Sequence, residues 1–96
     1  MQLADLLEGF MDSIQEDGRI GATHISLYVS LLYFWQQNQF ENPLRINRRE
    51  VMKGAKIFAR HTYNQRINEL CRYGYILYQP SSDPRQASLV TLNAFN

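Results

Sequence analysis

Cysteine is almost missing from this chain. Cys71 is the single one, which excludes an internal disulfide and a Cys-rich zinc site. Histidine is nearly as scarce: His24 and His61 are the only two. They fall on different predicted elements, with no neighbour at metal-ligand spacing, so no metal is expected. No uninterrupted apolar run reaches the roughly 18 residues of a membrane span. The first residues, MQLADLLEGFMDSIQEDG, carry acid where a secretory signal carries base. The expectation is a cytoplasmic protein with no membrane partner. No Gly-rich phosphate loop occurs. Glu16-Asp17 sits at a predicted helix end and reads as a solvated pair. Cys71 falls on an apolar helix face with no His or acid placed to activate it. No catalytic residue and no cofactor are therefore expected, and the chain reads as a non-enzyme.

Aromatic residues are present in quantity. One Trp, six Tyr and five Phe among 96 residues are too many for a disordered chain, and the length suits one domain, residues 1–96. The formal net charge of +1 hides an asymmetry. Residues 1–44 hold one base against six acids, a net of −5. Residues 45–96 hold nine bases against three acids, a net of +6. Such a split points to nucleic acid or another acidic partner for the second half, or to two solvated faces of opposite sign.

Leu3, Leu6, Leu7, Phe10, Met11 and Ile14 follow helical spacing and predict an amphipathic, acidic helix over 2–16. Asp17-Gly18 is expected to stop it. Thr23 is the expected N-cap of a second helix, 23–39. Ile25, Leu27, Tyr28, Leu31, Leu32, Phe34 and Trp35 make that helix apolar around most of its circumference, and such a helix is buried. It ends before Asn42-Pro43, since the residue ahead of proline avoids the α region. Leu44-Arg45-Ile46 alternates as a minimal strand. Asn47, with Glu50 three residues on, approximates a capping box for a short helix. Gly54 to Phe58 reads as a tight turn with Ile57 and Phe58 as a buried apolar pair. A longer helix follows over 59–73, with Tyr63, Ile67, Leu70 and Cys71 inward and Gly74 as its C′ residue. Tyr75–Gln79 and Ser88–Leu92 are the strands of a hairpin over 75–92, with a polar loop of about eight residues between them. A fold that is α+β and mainly α is expected.

The motifs narrow this further. Asn47-Arg-Arg-Glu-Val-Met, Phe58-Ala-Arg-His-Thr-Tyr, Ile67-Asn-Glu-Leu and Gly74-Tyr-Ile resemble bacterial winged helix-turn-helix regulators. The matching positions are Arg60, Thr62, Tyr63, Leu70, Gly74, Tyr75 and Ile76. Thr23-His-Ile-Ser-Leu-Tyr, Trp35, Asn42-Pro43, Lys56-Ile and Pro80-Ser add a narrower resemblance, over roughly residues 23–90. It is to small winged-helix proteins carried on bacterial mobile elements such as conjugative transposons and prophages. The resemblance implies helix-turn-helix 47–73, a wing at 75–92, and a regulator of transcription, excision or replication. The acidic helix 2–16 lies outside the family motif, and the loop Ser81–Ala87 carries a single base.

With the apolar positions of helix 59–73 inward, Arg60, His61, Asn64, Gln65, Asn68 and Arg72 face outward. Asn and Gln pair bidentately with adenine and Arg with guanine in the major groove, and a recognition helix reads with its N-terminal half. Arg60, His61, Asn64, Gln65 and Asn68 are therefore the expected base readers of double-stranded DNA. Arg48, Arg49, Lys53, Lys56 and Arg72 suit phosphates, as do the helix start at Asn47 and Arg85 on the loop. The stripe Leu3, Leu7, Phe10, Met11 and Ile14 either enlarges the core or pairs two copies, and the favoured reading is a homodimer through it. A competing reading is a winged-helix protein-interaction module in a replication or mobilisation complex, using that stripe and the hairpin. A third, an RNA or single-strand binder, rests only on Tyr73, Tyr75 and Tyr78.

Overall fold

The computed structural model describes residues 3–83 and 85–92. Residue 2 of the expected first helix and Pro84 of the expected loop lie outside them. The elements run α1 (Leu3–Ile14), α2 (Ala22–Gln37), β1 (Leu44–Ile46), α3 (Arg48–Ala55), α4 (Arg60–Arg72), β2 (Leu77–Gln79) and β3 (Ser88–Thr91). The fold is α+β and mainly helical, with a three-stranded antiparallel sheet in the order β1-β3-β2.

Helix α2 is the axle. It packs on α1, α3, α4 and β1, and Leu27, Leu31 and Trp35 on it are almost wholly buried. Its near-uniform apolar surface follows from having neighbours on several sides. Phe10 of α1 stacks on Tyr28 of α2 with ring centroids 3.8 Å apart and meets Tyr75 edge-on at 5.4 Å. Leu44 and Ile46 point into the core while Arg45 between them is exposed, the alternation of a half-buried strand. Strand β3 pairs Val90 with Leu44 on one side and with Tyr78 on the other. Ile76, Val90 and Leu92 fill the core beneath. Asn42, whose peptide to Pro43 is cis, acts as a strand residue by proxy. Its amide donates to the Leu92 carbonyl at 2.7 Å, and its Oδ1 accepts from the Leu92 N–H at 3.0 Å.

Three helix ends close in one way. In α4, Gly74 at φ 90° lets its N–H reach the Cys71 carbonyl, and the Tyr75 N–H reaches that of Leu70. This is the Schellman pattern, which satisfies carbonyls that a helix end otherwise leaves without partners. Helix α3 repeats it with Lys56 at φ 60°, and α2 with Gln39 at φ 59°. Behind Gln39, Phe40 packs edge-on against Trp35 at 5.1 Å, the apolar contact that accompanies the motif.

Several expectations are corrected. Helix α1 stops at Ile14, ahead of Asp17-Gly18. The N-cap of α2 is Gly21 rather than Thr23: the Gly21 N–H donates to Nδ1 of His24 at 2.9 Å. That bond leaves the ring proton on Nε2, which donates to Glu69 of α4 at 2.8 Å. The long-range bond to Glu69 holds the imidazole where Gly21 can use it. Phe10 and Ile14, expected on a stripe for pairing two copies, are buried in this chain's own core. Leu3 and Met11 lie half-buried against that core, and only Leu7 is exposed. Phe58, expected beside Ile57 in the core, is 91% exposed. Gly54 and Ala55 are helical, so the turn begins only at Lys56.

Position 54 within α3 suits a glycine because α2 crosses close by. A Cβ on Gly54 would lie 2.7 Å from Oγ of Ser30, and that buried hydroxyl donates to the Val51 carbonyl at 2.9 Å. Gly54→Ala is therefore expected to destabilise by about 1–2 kcal/mol, as the hydroxyl is pushed off its bond. In a Ser30→Ala background the sign should reverse. There the same change gains helix propensity of roughly 1 kcal/mol. Urea unfolding of the four proteins checks this; additive effects would exclude the crossing as the cause.

A polar clamp joins the α1–α2 loop to the end of α4. Arg19 donates to Asp17 from Nε at 2.8 Å and Nη2 at 2.9 Å, and the Tyr75 hydroxyl donates to Asp17 at 2.6 Å. The guanidinium lies 4.2 Å from the Tyr73 ring centroid. The Arg19 and Tyr75 bonds hold the Asp17 carboxyl well below the usual range. Burial, then the bond to Asp17, pushes the Tyr75 hydroxyl up to about 12. A lowered carboxyl stabilises the fold above its unfolded value of about 4, and that stability is lost as pH falls from there through the lower folded value. A raised phenol stabilises below its unfolded value near ~10, and its contribution is lost as pH rises towards the folded one. Tyr75→Phe should cost about 1–2 kcal/mol at neutral pH. The gap between wild type and Y75F should narrow above about pH 10; a gap independent of pH would refute the Asp17–Tyr75 bond.

Candidate functional site

Helix α4, the first residues of α3, strand β1 and the β2–β3 hairpin enclose an open cleft of about 1100 Å³. One wall is the α4 stripe Arg60, Asn64 and Asn68, spaced four apart and so on one helical face. The base is Arg45, Arg48 and Arg49 with the buried Ile46 and Tyr63. The opposite wall is Tyr78, residues 80–83 and residues 85–88. Five arginines line it, Arg45, Arg48, Arg49, Arg60 and Arg85, against one carboxylate, Asp83.

Local sequence explains each placement. Asn47 caps α3, its Oδ1 accepting from the Glu50 N–H at 3.2 Å, and so fixes where α3 begins. Arg48 and Arg49 are then the first two helical residues, and Arg60 is the first of α4. All three bases sit where the helix dipole already presents positive charge, an arrangement that disfavours the fold and favours an anion. The hairpin loop is built by its own polar side chains. The Ser81 N–H donates to Oγ of Ser88 at 3.1 Å, and Ser81 Oγ accepts from the Asp83 N–H at 3.2 Å. Asp83 accepts from the Arg85 N–H at 2.9 Å and Nε at 3.2 Å. These bonds hold its carboxyl below its ordinary range. Arg85 remains almost fully exposed, and such a surface pair contributes little, so a phosphate can compete for the guanidinium.

Tyr63 joins cleft and core. Its ring is 2% exposed, and burial, the largest effect, pushes its hydroxyl above the usual phenol range. Like any phenol at neutral pH, it is a neutral hydroxyl that can donate.

Of the expected site residues, Arg60, Asn64, Asn68, Asn47, Arg48, Arg49 and Arg85 come together here. Asn68 spends an amide hydrogen on the Asn64 carbonyl at 2.7 Å. His61 and Gln65 are exposed on the adjoining stripe of α4, outside the cleft lining. Lys53 and Lys56 are exposed at the far end of α3. Arg72 departs from expectation. It lies at the other end of α4, 5.4 Å from the Tyr73 ring centroid and 4.0 Å from Glu69. Arg45 was missed, as were the serines Ser81, Ser82 and Ser88, while Tyr78 was expected only as a stacking residue for unpaired bases. The alternation Leu44-Arg45-Ile46 carried the signal for Arg45, because the middle residue of such a strand must face away from the core.

A second polar group, His24, Arg66 and Glu69, is structural. Burial alone would raise the Glu69 carboxyl, but hydrogen bonds from His24 and Arg66 outweigh it and hold it low. The ionised group thus ties α4 to the start of α2. Among the described residues, no group of three or more His, Cys, Asp or Glu could hold a metal. No helix there is long and apolar enough to cross a membrane. Comparison with protein-family models, curated proteins and solved structures gives no match for the chain.

Proposed function

We propose that this chain is a winged helix-turn-helix protein that binds double-stranded DNA sequence-specifically. In this reading α3 and α4 are the helix-turn-helix pair, with α4 in the major groove, and the β2–β3 hairpin is the wing. The observation that carries it is the cleft between α4 and the hairpin, with five arginines against one carboxylate. Arg60 and Asn64 suit base edges, with His61 and Gln65 on the adjoining stripe. Arg45, Arg48, Arg49 and Arg85 suit the flanking phosphates. The biological role in this reading is a transcriptional regulator or an accessory DNA-binding factor of a bacterial mobile element, which rests on the motif resemblance alone.

Fluorescence anisotropy with a mixed-sequence duplex across a salt series tests the proposal. Four or five phosphate contacts should give a log–log salt slope of about −4. Absence of binding even at low salt would remove it and favour the protein-interaction module. That alternative would use the exposed Val29 and Tyr33, one turn apart on α2, since Phe10 and Ile14 are buried.

A further inference from the structure

Phe58 is the most exposed large apolar side chain among the described residues, at 91% against 56% for Tyr33, the next. Its exposure is not that of a loose loop. Ile57 before it is buried, and the Ile57 N–H is bonded to the Met52 carbonyl at 3.0 Å. Ala59 after it is the N-cap of α4, and its carbonyl accepts from the Tyr63 N–H at 3.1 Å. The backbone is therefore held on both sides, and the ring is presented outward from the residue that precedes the N-cap. Binding groups are typically placed this way, on a short connection between packed elements.

The surroundings indicate what the ring meets. Lys56 and Arg60 lie two residues to either side, and His61 follows. No acid occurs between Glu50 and Glu69. An apolar anchor at a protein–protein interface sits in a core depleted of lysine and acids, though not of arginine, and Lys56 is the nearest base before this ring. An aromatic ring framed by cations at the start of a groove-entering helix suits DNA instead. The one apolar feature on the major-groove edge of B-DNA is the thymine 5-methyl, and Phe is among the side chains that contact it.

We infer that Phe58 is a specificity-determining residue that lays its ring on a thymine 5-methyl group in the major groove. The inference rests on the DNA-binding reading and adds to it an apolar contact that selects A·T pairs next to the bases met by α4.

Duplexes recovered from a random library by the wild-type protein provide the probe. Each thymine of the recovered site is replaced in turn by uracil, which lacks only the 5-methyl. At one or two positions the wild type should lose about fourfold in affinity, the effect of one buried methyl. Phe58→Ala should bind the thymine duplex correspondingly more weakly and show no difference between thymine and uracil there. Its thermal midpoint should match wild type, because the ring packs on almost nothing. Duplex binding with a steep salt slope but no thymine–uracil difference, or a difference that survives in F58A, overturns the inference and leaves the DNA reading intact. No binding to any duplex overturns both.

Discussion

Replacing Arg48, Arg49 and Arg60 together by alanine should abolish most duplex binding and leave the protein at least as stable. Each arginine offers a charge-assisted hydrogen bond to phosphate or base of roughly 1.5 kcal/mol or more. Loss of three predicts a fall in affinity of about 10³-fold or more, at about 1.4 kcal/mol per factor of ten. The salt slope should shrink by about one for each phosphate contact removed. Stability should move the other way. These residues occupy the first positions of α3 and α4, where positive charge opposes the helix dipole by about 0.3–1 kcal/mol each at low ionic strength. Arg49 and Arg60 are exposed and Arg48 is half-buried, so little packing is lost. Anisotropy and a thermal melt on the same sample separate the outcomes. Unchanged affinity would disconnect the cleft from DNA, and a large fall in melting temperature would make the arginines structural.

That opposition of charge and dipole was legible from residues alone, once Asn47 was read as a cap and Arg60 as a helix start. So were the Leu44-Arg45-Ile46 strand and the close of α4 at Gly74, because each depends on spacing or on the backbone freedom of one residue. What escaped depends on residues distant in the chain. Gly54 reads as a turn until Ser30 is known to press on it. Thr23 carries a capping hydroxyl that glycine lacks, yet His24, held by Glu69 45 residues on, hands that position to Gly21. The stripe on α1 has the same apolar spacing whether it pairs with a second copy or with Tyr28, and periodicity cannot tell these apart. Phe58 inverts the ordinary rule that apolar residues go inside, and a departure of that kind belongs to binding sites rather than cores. The outward face of α4, which forms one wall of the cleft, was visible from its 3.6-residue period. The opposite wall of the cleft was not, because serines in a loop carry no periodic signal.

Tyr63→Ala should be among the most damaging single changes available, and Tyr63→Phe nearly silent for stability. Among the residues lining the cleft only Ile46 and Tyr63 are buried, and Tyr63 is the larger. Truncating a buried aromatic costs about 3–5 kcal/mol, out of the roughly 5–15 kcal/mol that holds a domain of this size together. At about 4–8 °C per kcal/mol the midpoint should fall by at least ten degrees. Phenylalanine keeps the ring and removes only a hydroxyl at the cleft base, so Y63F should unfold within about 1 kcal/mol of wild type. Its binding should weaken by up to about tenfold if that neutral hydroxyl donates to a phosphate. Urea unfolding of both variants, with anisotropy on Y63F, distinguishes the two contributions. A Y63A protein that loses less than about 1 kcal/mol would mean that the cleft is not floored by the core. A Y63F protein that loses as much as Y63A would mean that the hydroxyl, and not the ring, is what α4 leans on.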